Sequence, residues 1–338
     1  MSKASEIEIA PYADVQTVGI PRGLLCYRFG WLWKAYFESL GRTVQVSPES
    51  DRGIYEAGQA AAVDECCLAS KVYMGHVAAL LDMDPAPDAI FIPSIGNMGA
   101  HHRFCTRFQS LPDMVRNTYY ERRPRILSFA IEEQDQGLAE EDAYLGLARQ
   151  MGATEKEAKA AWKAGERAQH EYDDKLARAQ EAVITAQRKL PADECPLTIL
   201  VAAHPYVAHD PFIGGAAVDC LREMGATVLF ADETDHDRAY KRSLTFTETM
   251  PWTISRELIG SILLLHHTVD GIVVMSAFPC GPDSMTDDII ARFIKGKPLL
   301  MLTLDAQSGT AGLETRIESF IDILTYQRRG GYLKDGEH

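Results

Sequence analysis

Val15–Val46 reads VQTVGIPRGLLCYRFGWLWKAYFESLGRTVQV, and its alternation of elements decides the fold. Val15–Ile20 is a short apolar run that suits a strand, closed by the turn Pro21-Arg22-Gly23. Leu24–Leu40 follows with apolar residues at helical spacing, Trp31, Trp33, Tyr36 and Phe37 among them, and Gly41 is placed to end the helix. Thr43–Val46 is β-branched and predicts a second strand. Strand, helix and strand in so short a stretch form the repeating unit of a parallel sheet.

The pattern continues outward. Ser50–Ala62 and Lys71–Leu81 predict helices, and Asp88–Ile92 a third strand ending in Pro93. Ser94–Phe108 reads as a loop carrying Gly96, Gly99, His101, His102 and Cys105. Leu111–Arg116 predicts a short helix and Pro124–Phe129 a further strand. From Glu132 to Leu190 the composition turns to Ala, Glu, Lys, Arg and Gln without proline, which predicts a long helical pair broken near Gly152. Thr154 and Glu157 have the spacing of a capping box for its second helix. Most of its charges read as a solvated face, and such a segment can also brace two lobes or meet a partner subunit.

After the linker Pro191–Pro196 the alternation resumes. Strands are predicted at Leu197–Ala202, Thr227–Phe230, Asp270–Met275 and Pro298–Thr303. Helices are predicted at Phe212–Met224, Ser255–His267, Asp287–Ile294 and Gly312–Leu324. The expected architecture is α/β: two doubly wound, Rossmann- or flavodoxin-like parallel-sheet lobes, 1–130 and 193–338, with a helical insert, 131–192, between them.

The chain has 338 residues, 46% hydrophobic and 24% charged, as in a soluble globular protein. A net charge of −14 argues against nucleic acid as a partner. No apolar run reaches the roughly 18 residues a membrane span needs. Met1–Pro11 does not resemble a secretory signal, so a cytoplasmic location is expected. Seven cysteines, an odd number, without such a signal argue against a disulfide framework and leave metal, iron–sulfur or core roles open. Neither a Walker A loop nor a G-x-G-x-x-G fingerprint occurs, so ATP, if used, belongs to a partner.

Ala61–His76, AAVDECCLASKVYMGH, holds adjacent cysteines at an expected helix start. Free backbone N–H groups there lower a thiol pKa and favour an anionic cluster; packing as two small hydrophobes is the alternative. Cys67 at that helix start, Cys105 after a strand of the first lobe and Cys280 after a strand of the second all open toward the expected crevice. Three thiolates there can hold a 4Fe–4S cluster by three irons, leaving the fourth open. Three unrelated core cysteines are the competing reading, since the spacing is long.

Several stretches resemble the acyl-CoA dehydratase activase-related proteins, themselves similar to the B-type subunits of 2-hydroxyacyl-CoA dehydratases and benzoyl-CoA reductases. They are Ile20–Gly41, Val63–His76, Phe104–Asn117, His204–Phe212 (HPYVAHDPF), Pro279–Ser284 (PCGPDS) and Thr310–Phe320. The resemblance implies that Cys67, Cys105 and Cys280 ligate an iron–sulfur cluster. It also implies low-potential electrons from an ATP-hydrolysing activator and reduction of a small substrate, acyl-CoA in the family, by a homo- or heterodimer. His101-His102 and Ala69, where proline is common, depart from the pattern. Double-cubane cluster proteins are relatives with more cysteines, and Cys26 and Cys66 are the extra thiols that would serve an eight-iron cluster. Arg22, Arg28 and Lys71 lie beside these loops and would stabilise a negative cluster. His101, His102 and His204, the last with Tyr206 and Asp210 nearby, are candidate proton sources. Glu314 and Arg316 are expected to pair internally, Cys220 to pack in the core, and Cys195 to take no part. A non-catalytic electron carrier, a cluster-assembly scaffold or a metal-free interaction protein is the alternative.

Overall fold

The computed structural model describes residues 10–99, 102–132, 139–191, 194–307 and 310–330. It is built on two four-stranded parallel sheets and one two-stranded parallel sheet. No helix among the described residues is long and apolar enough to cross a membrane. The chain divides into two compact units, Met1–Pro48 with His76–Glu171, and Glu49–Gly75 with Tyr172–His338.

In the first unit, β1 (Thr17–Ile20), β2 (Thr43–Val46), β3 (Ala89–Phe91) and β5 (Ile126–Leu127) lie in the order β2-β1-β3-β5. Thr17 stands opposite Thr43, Val18 opposite Ala89 and Ile90 opposite Ile126. Between β1 and β2 runs α1 (Cys26–Ser39), whose buried face is Leu32, Trp33, Tyr36 and Phe37. Trp33 and Phe37 meet Phe91 edge-on, with ring centres 5.3 and 4.9 Å apart. Such edge contacts add to the area these rings remove from water.

The stretch expected as a loop at Ser94–Phe108 instead opens with a strand, β4 (Ser94–Asn97), paired with β6 (Ala130–Glu132). It ends in α4 (Thr106–Thr118), much longer than the short helix predicted at Leu111–Arg116, with Pro112 accommodated inside it. The helical pair is α5 (Glu140–Gln150) and α6 (Glu155–Gln187). The capping box forms as read: the Glu157 carboxylate accepts from the Thr154 N–H at 2.8 Å, and the Glu157 N–H reaches the Thr154 hydroxyl at 3.3 Å. These helices are not merely a solvated face. Trp33 Nε1 donates to the buried Tyr144 hydroxyl of α5 at 2.9 Å, and the Tyr36 hydroxyl donates to the Tyr144 carbonyl at 2.6 Å.

The second unit holds β7 (Thr198–Ala203), β8 (Thr227–Phe230), β9 (Gly271–Ala277) and β10 (Leu299–Leu304) in the order β10-β9-β7-β8. Every residue of the two central strands is buried, which is why they read as unbroken apolar runs. The Gln180 amide, on α6, closes the free edge of β8: its Oε1 accepts from Phe230 N–H at 2.7 Å and its Nε2 donates to Phe230 O at 3.0 Å.

The helices α2 (Arg52–Ala61) and the start of α3 (Leu68–Leu81), expected in the first lobe, group with this unit. Tyr55 stacks on Phe212 at 5.1 Å, and the Ser50 hydroxyl donates to buried Asp210. Two helices escaped the sequence reading: α7 (Pro205–Ala208), a single turn, and α9 (His236–Ser243), nearly all polar. The longer is α9. It is seated by Gly260 of α10 (Thr253–Leu265), where any Cβ would run into the Ala239 backbone. The helix predicted at Phe212–Met224 is a π-helical turn, Pro211–Gly215, followed by α8 (Ala216–Glu223). Arg316 donates to the Met301 carbonyl and not, as expected, to Glu314; its place on α12 (Thr310–Arg328) faces the end of β10.

Candidate functional site

In the second sheet the strand order reverses between β7 and β9, and open α/β sheets place ligands at the carboxyl ends of the strands at such a point. β7 runs out into His204; β9 runs out through Phe278 and Pro279 into Cys280. Cys280 is the N-cap residue of α11 (Gly281–Phe293). Cys67 immediately precedes α3, and its carbonyl accepts from the N–H groups of Ser70 and Lys71 at 2.9 and 3.0 Å. The two segments are joined by a hydrogen bond of 2.8 Å from Leu68 N–H to the Phe278 carbonyl.

That bond brings the two thiols together. A hydrogen bond from Cys280 is the main reason the Cys67 thiol is pulled down to about 6. Burial works against the shift; the Ser70 hydroxyl, 3.2 Å from the sulfur, and the Ser70 N–H assist it, and the Asp283 charge opposes it. Cys280 moves the other way, raised by its bond to Cys67, by burial and by Asp283. The opposite shifts come from one hydrogen bond between the two sulfurs and belong to the pair.

His204, 5% exposed, stands in the same cluster. Its Nδ1 lies 2.9 Å from the Asp283 carboxylate and 2.7 Å from the Tyr206 hydroxyl; its Nε2 faces the Ser255 hydroxyl at 3.4 Å. Burial pulls the imidazole pKa down, but Asp283, Asp287 and Cys67 together outweigh it and hold it above the ordinary histidine value. Asp287, one turn beyond Asp283, is pushed up to about 6 by burial and by Asp283, against the Ser276 hydrogen bond and His204. Asp283, Asp287, Ser70, Ser255 and Ser276 were not singled out from sequence. Asp283 lies within the PCGPDS stretch, three residues past Cys280, and that is the one signal that pointed to it. Asp210 is occupied elsewhere: its carboxylate accepts from the N–H groups of Phe212 and Ile213, both at 3.0 Å.

In the first unit the strand order reverses between β1 and β3. Beyond β1, Arg22 donates from its backbone N–H to the Ser47 hydroxyl (2.8 Å) and from Nε to the Ser47 carbonyl (3.1 Å). The same hydroxyl meets Nδ1 of buried His76 at 3.0 Å. Cys26 opens α1, and burial pushes its thiol up to about 12, against the charge of Arg22. Cys66 is fully buried. Cys105, half-buried, is the N-cap residue of α4, so all three expected cluster ligands directly precede helices. His102 is held at the backbone, its N–H on Gly99 O and its carbonyl on Met98 N–H; His101 lies outside the described residues. Lys71 sits in the first turn of α3. Cys195 rests 3.7 and 3.8 Å from Gln187 acceptors, and Cys220 is buried in α8. Among the described residues no group of three or more His, Cys, Asp or Glu side chains is gathered so as to hold a metal ion.

No curated protein sequence matches the chain. Among solved structures, a manganese-bound periplasmic metal binding protein from Candidatus Liberibacter asiaticus is 12% identical, aligning 91% of this chain with 99% of that one at a TM-score of 0.24. Glucosamine-6-phosphate deaminase from Thermotoga maritima is 12% identical over 94% of this chain and 86% of that one, with a TM-score of 0.22. Likenesses at these scores bear on neither fold nor function. The family described as CoA enzyme activase uncharacterised domain (DUF2229) matches residues 17–233, more than half of the chain, including Cys67, Cys105 and His204 and stopping short of Cys280. The chain belongs to this CoA enzyme activase-related family.

Proposed function

We propose that the chain is an iron–sulfur protein of the 2-hydroxyacyl-CoA dehydratase and benzoyl-CoA reductase type, with Cys67, Cys280 and Cys105 as cluster ligands. The observation that carries the reading is the hydrogen-bonded pair Cys67–Cys280 at the switch point of the second sheet. The donor chemistry fits: thiolates are the ligands iron–sulfur clusters take, and residues directly ahead of helices have N–H groups nearby that stabilise reduced clusters. A bound cluster would supply one-electron transfer at low potential. Around it, His204 holds a proton between the Asp283 carboxylate and the Ser255 hydroxyl, in position to donate once charge builds up nearby.

We assign a single 4Fe–4S cluster to Cys67, Cys105 and Cys280; about eight irons per chain would instead bring in the buried Cys26 and Cys66 as further ligands. In this reading an ATP-hydrolysing activator delivers the electron, the substrate is a small molecule, an acyl-CoA by family, and the working unit is a dimer. The second reading is a metal-free or purely carrier role. It draws on the absence, among the described residues, of a gathered three-ligand group. Iron and sulfide analysis after anaerobic purification separates the two: about four of each per chain supports the cluster, and none overturns it. ATP-dependent acceleration of cluster reduction by an activator then separates enzyme component from carrier.

A further inference from the structure

Beside the segment that carries Cys67 lies a cavity of about 380 Å³ that the cluster reading does not use. It opens at the carboxyl end of the edge strand β10, between that strand, the π-helical turn after Asp210 and the first turns of α12. Its walls are apolar: Leu68, Phe212, Ile213, Leu302, Leu304 and Leu313. Arg52 and Arg316, both exposed, also line it. Arg52 reaches Glu56 only at 3.5 Å with both side chains mostly in water, a pairing that neutralises little. Arg316 donates to a carbonyl, Met301, so its charge is uncompensated there. Among the described residues Asp305 is the one carboxylate in the lining, and one of its oxygens accepts from Gln307 N–H at 3.3 Å. Two guanidiniums against one carboxylate leave the cavity net positive.

We propose that this cavity binds a small monocarboxylate with an apolar body, such as a medium-chain fatty acid. The body lies among the leucines and the carboxylate is held by Arg52 and Arg316. The size falls in the lower part of the range for small-molecule sites, about 300–1,000 Å³, which suits one short chain and no cofactor-sized molecule. Guanidinium and carboxylate match as a planar, charge-assisted pair.

The test is calorimetric titration of the anaerobically purified chain with butanoate, hexanoate, octanoate and 1-octanol. Affinity should rise about fourfold per added methylene, the equivalent of roughly 0.8 kcal/mol. Octanol should bind at least tenfold more weakly than octanoate. Arg52→Gln and Arg316→Gln should each weaken octanoate several-fold; Arg52 is at the surface, so its variant reports on binding even if the loss of the Arg316 contact to Met301 disturbs β10. The Cys67→Ser, Cys280→Ser double variant should bind octanoate as the parent chain does, which keeps this site separate from the cluster. Equal affinity across the acids, octanol as tight as octanoate, or an unchanged Arg52→Gln variant would each overturn the proposal.

Discussion

The carboxyl ends of the two four-stranded sheets share a strand order and differ in what their polar groups do. At the first, the Arg22 side chain donates to the Ser47 carbonyl and His76 meets the Ser47 hydroxyl, and Cys26 is a buried thiol. At the second, titratable side chains face one another: Cys67 with Cys280, His204 with Asp283, and Asp287 beside both. Side chains directed at each other in a partly buried place shift one another's proton affinity, which is the usual mark of a functional site. The second sheet end thus shows the mutual shifts expected of a functional site.

The largest expected effect tests that division outright. Cys67→Ser and Cys280→Ser should abolish most iron binding, as should Cys105→Ser, whereas Cys26→Ser and Cys195→Ser should leave iron content unchanged. Full iron in the Cys67 and Cys280 variants would remove the distinction between the two ends.

Alkylation sharpens it without metal. In apo protein at pH 7, iodoacetamide should modify Cys67 at least about a hundred times faster than Cys26, because the thiolate fraction falls far more than nucleophilicity rises. Peptide mass spectrometry against time reads both rates, and comparable rates would contradict the burial of one and the activation of the other.

Backbone packing gives a third contrast. A Cβ on Gly58 of α2 would strike the Lys71 carbonyl and Gly75 of α3, the helix that presents Cys67. Gly58→Ala should cost about 3 kcal/mol and several degrees of Tm. Gly30→Ala, beside Cys26, meets only that side chain's sulfur at 3.3 Å and should change stability by under about 1 kcal/mol. Similar melting losses for both would show that the second end is not the more tightly assembled.

The smallest effect is a pH dependence. Asp287 has a folded-state pKa of about 6 against an ordinary 3.8, so the folded protein takes up its proton more readily than the unfolded chain. Its favourable contribution is complete below about pH 4 and is lost as pH rises through 6. Asp287→Asn should therefore stabilise the protein by about 1 kcal/mol above pH 7, allowing for partial exposure, and by nothing below pH 4. Urea unfolding across that range would show a flat difference if the carboxyl were not crowded.

Much of the scaffold was legible because its signals are local. Thr43–Val46 appears as read, and Thr154 with Glu157 forms the expected box, since β-branching and capping act over a few residues. α9 was invisible because its helix has no apolar stripe; Gly260, more than twenty residues later, is what lets it pack. β4 was hidden by glycine and polar residues in a four-residue strand. The three cysteines proposed as ligands were marked by sequence, and each does precede a helix. The buried His204–Asp283 contact could not be found, since its partners lie 79 residues apart and only the sheet's topology joins them.

The second unit is interrupted in sequence, with Glu49–Gly75 belonging to a body whose remainder begins at Tyr172. For a growing chain this is a question of timing. Cys67 leaves the ribosome 213 residues before Cys280, a wait of about 10–40 s at ordinary rates of synthesis. Throughout that interval the Leu68 N–H lacks the Phe278 carbonyl it meets in the fold, and Tyr55 lacks the Phe212 ring it stacks on. Synthesis of this protein should thus depend on chaperones that hold an early segment open for a late one. Moving residues 49–75 to the carboxyl terminus by permutation should relieve that dependence.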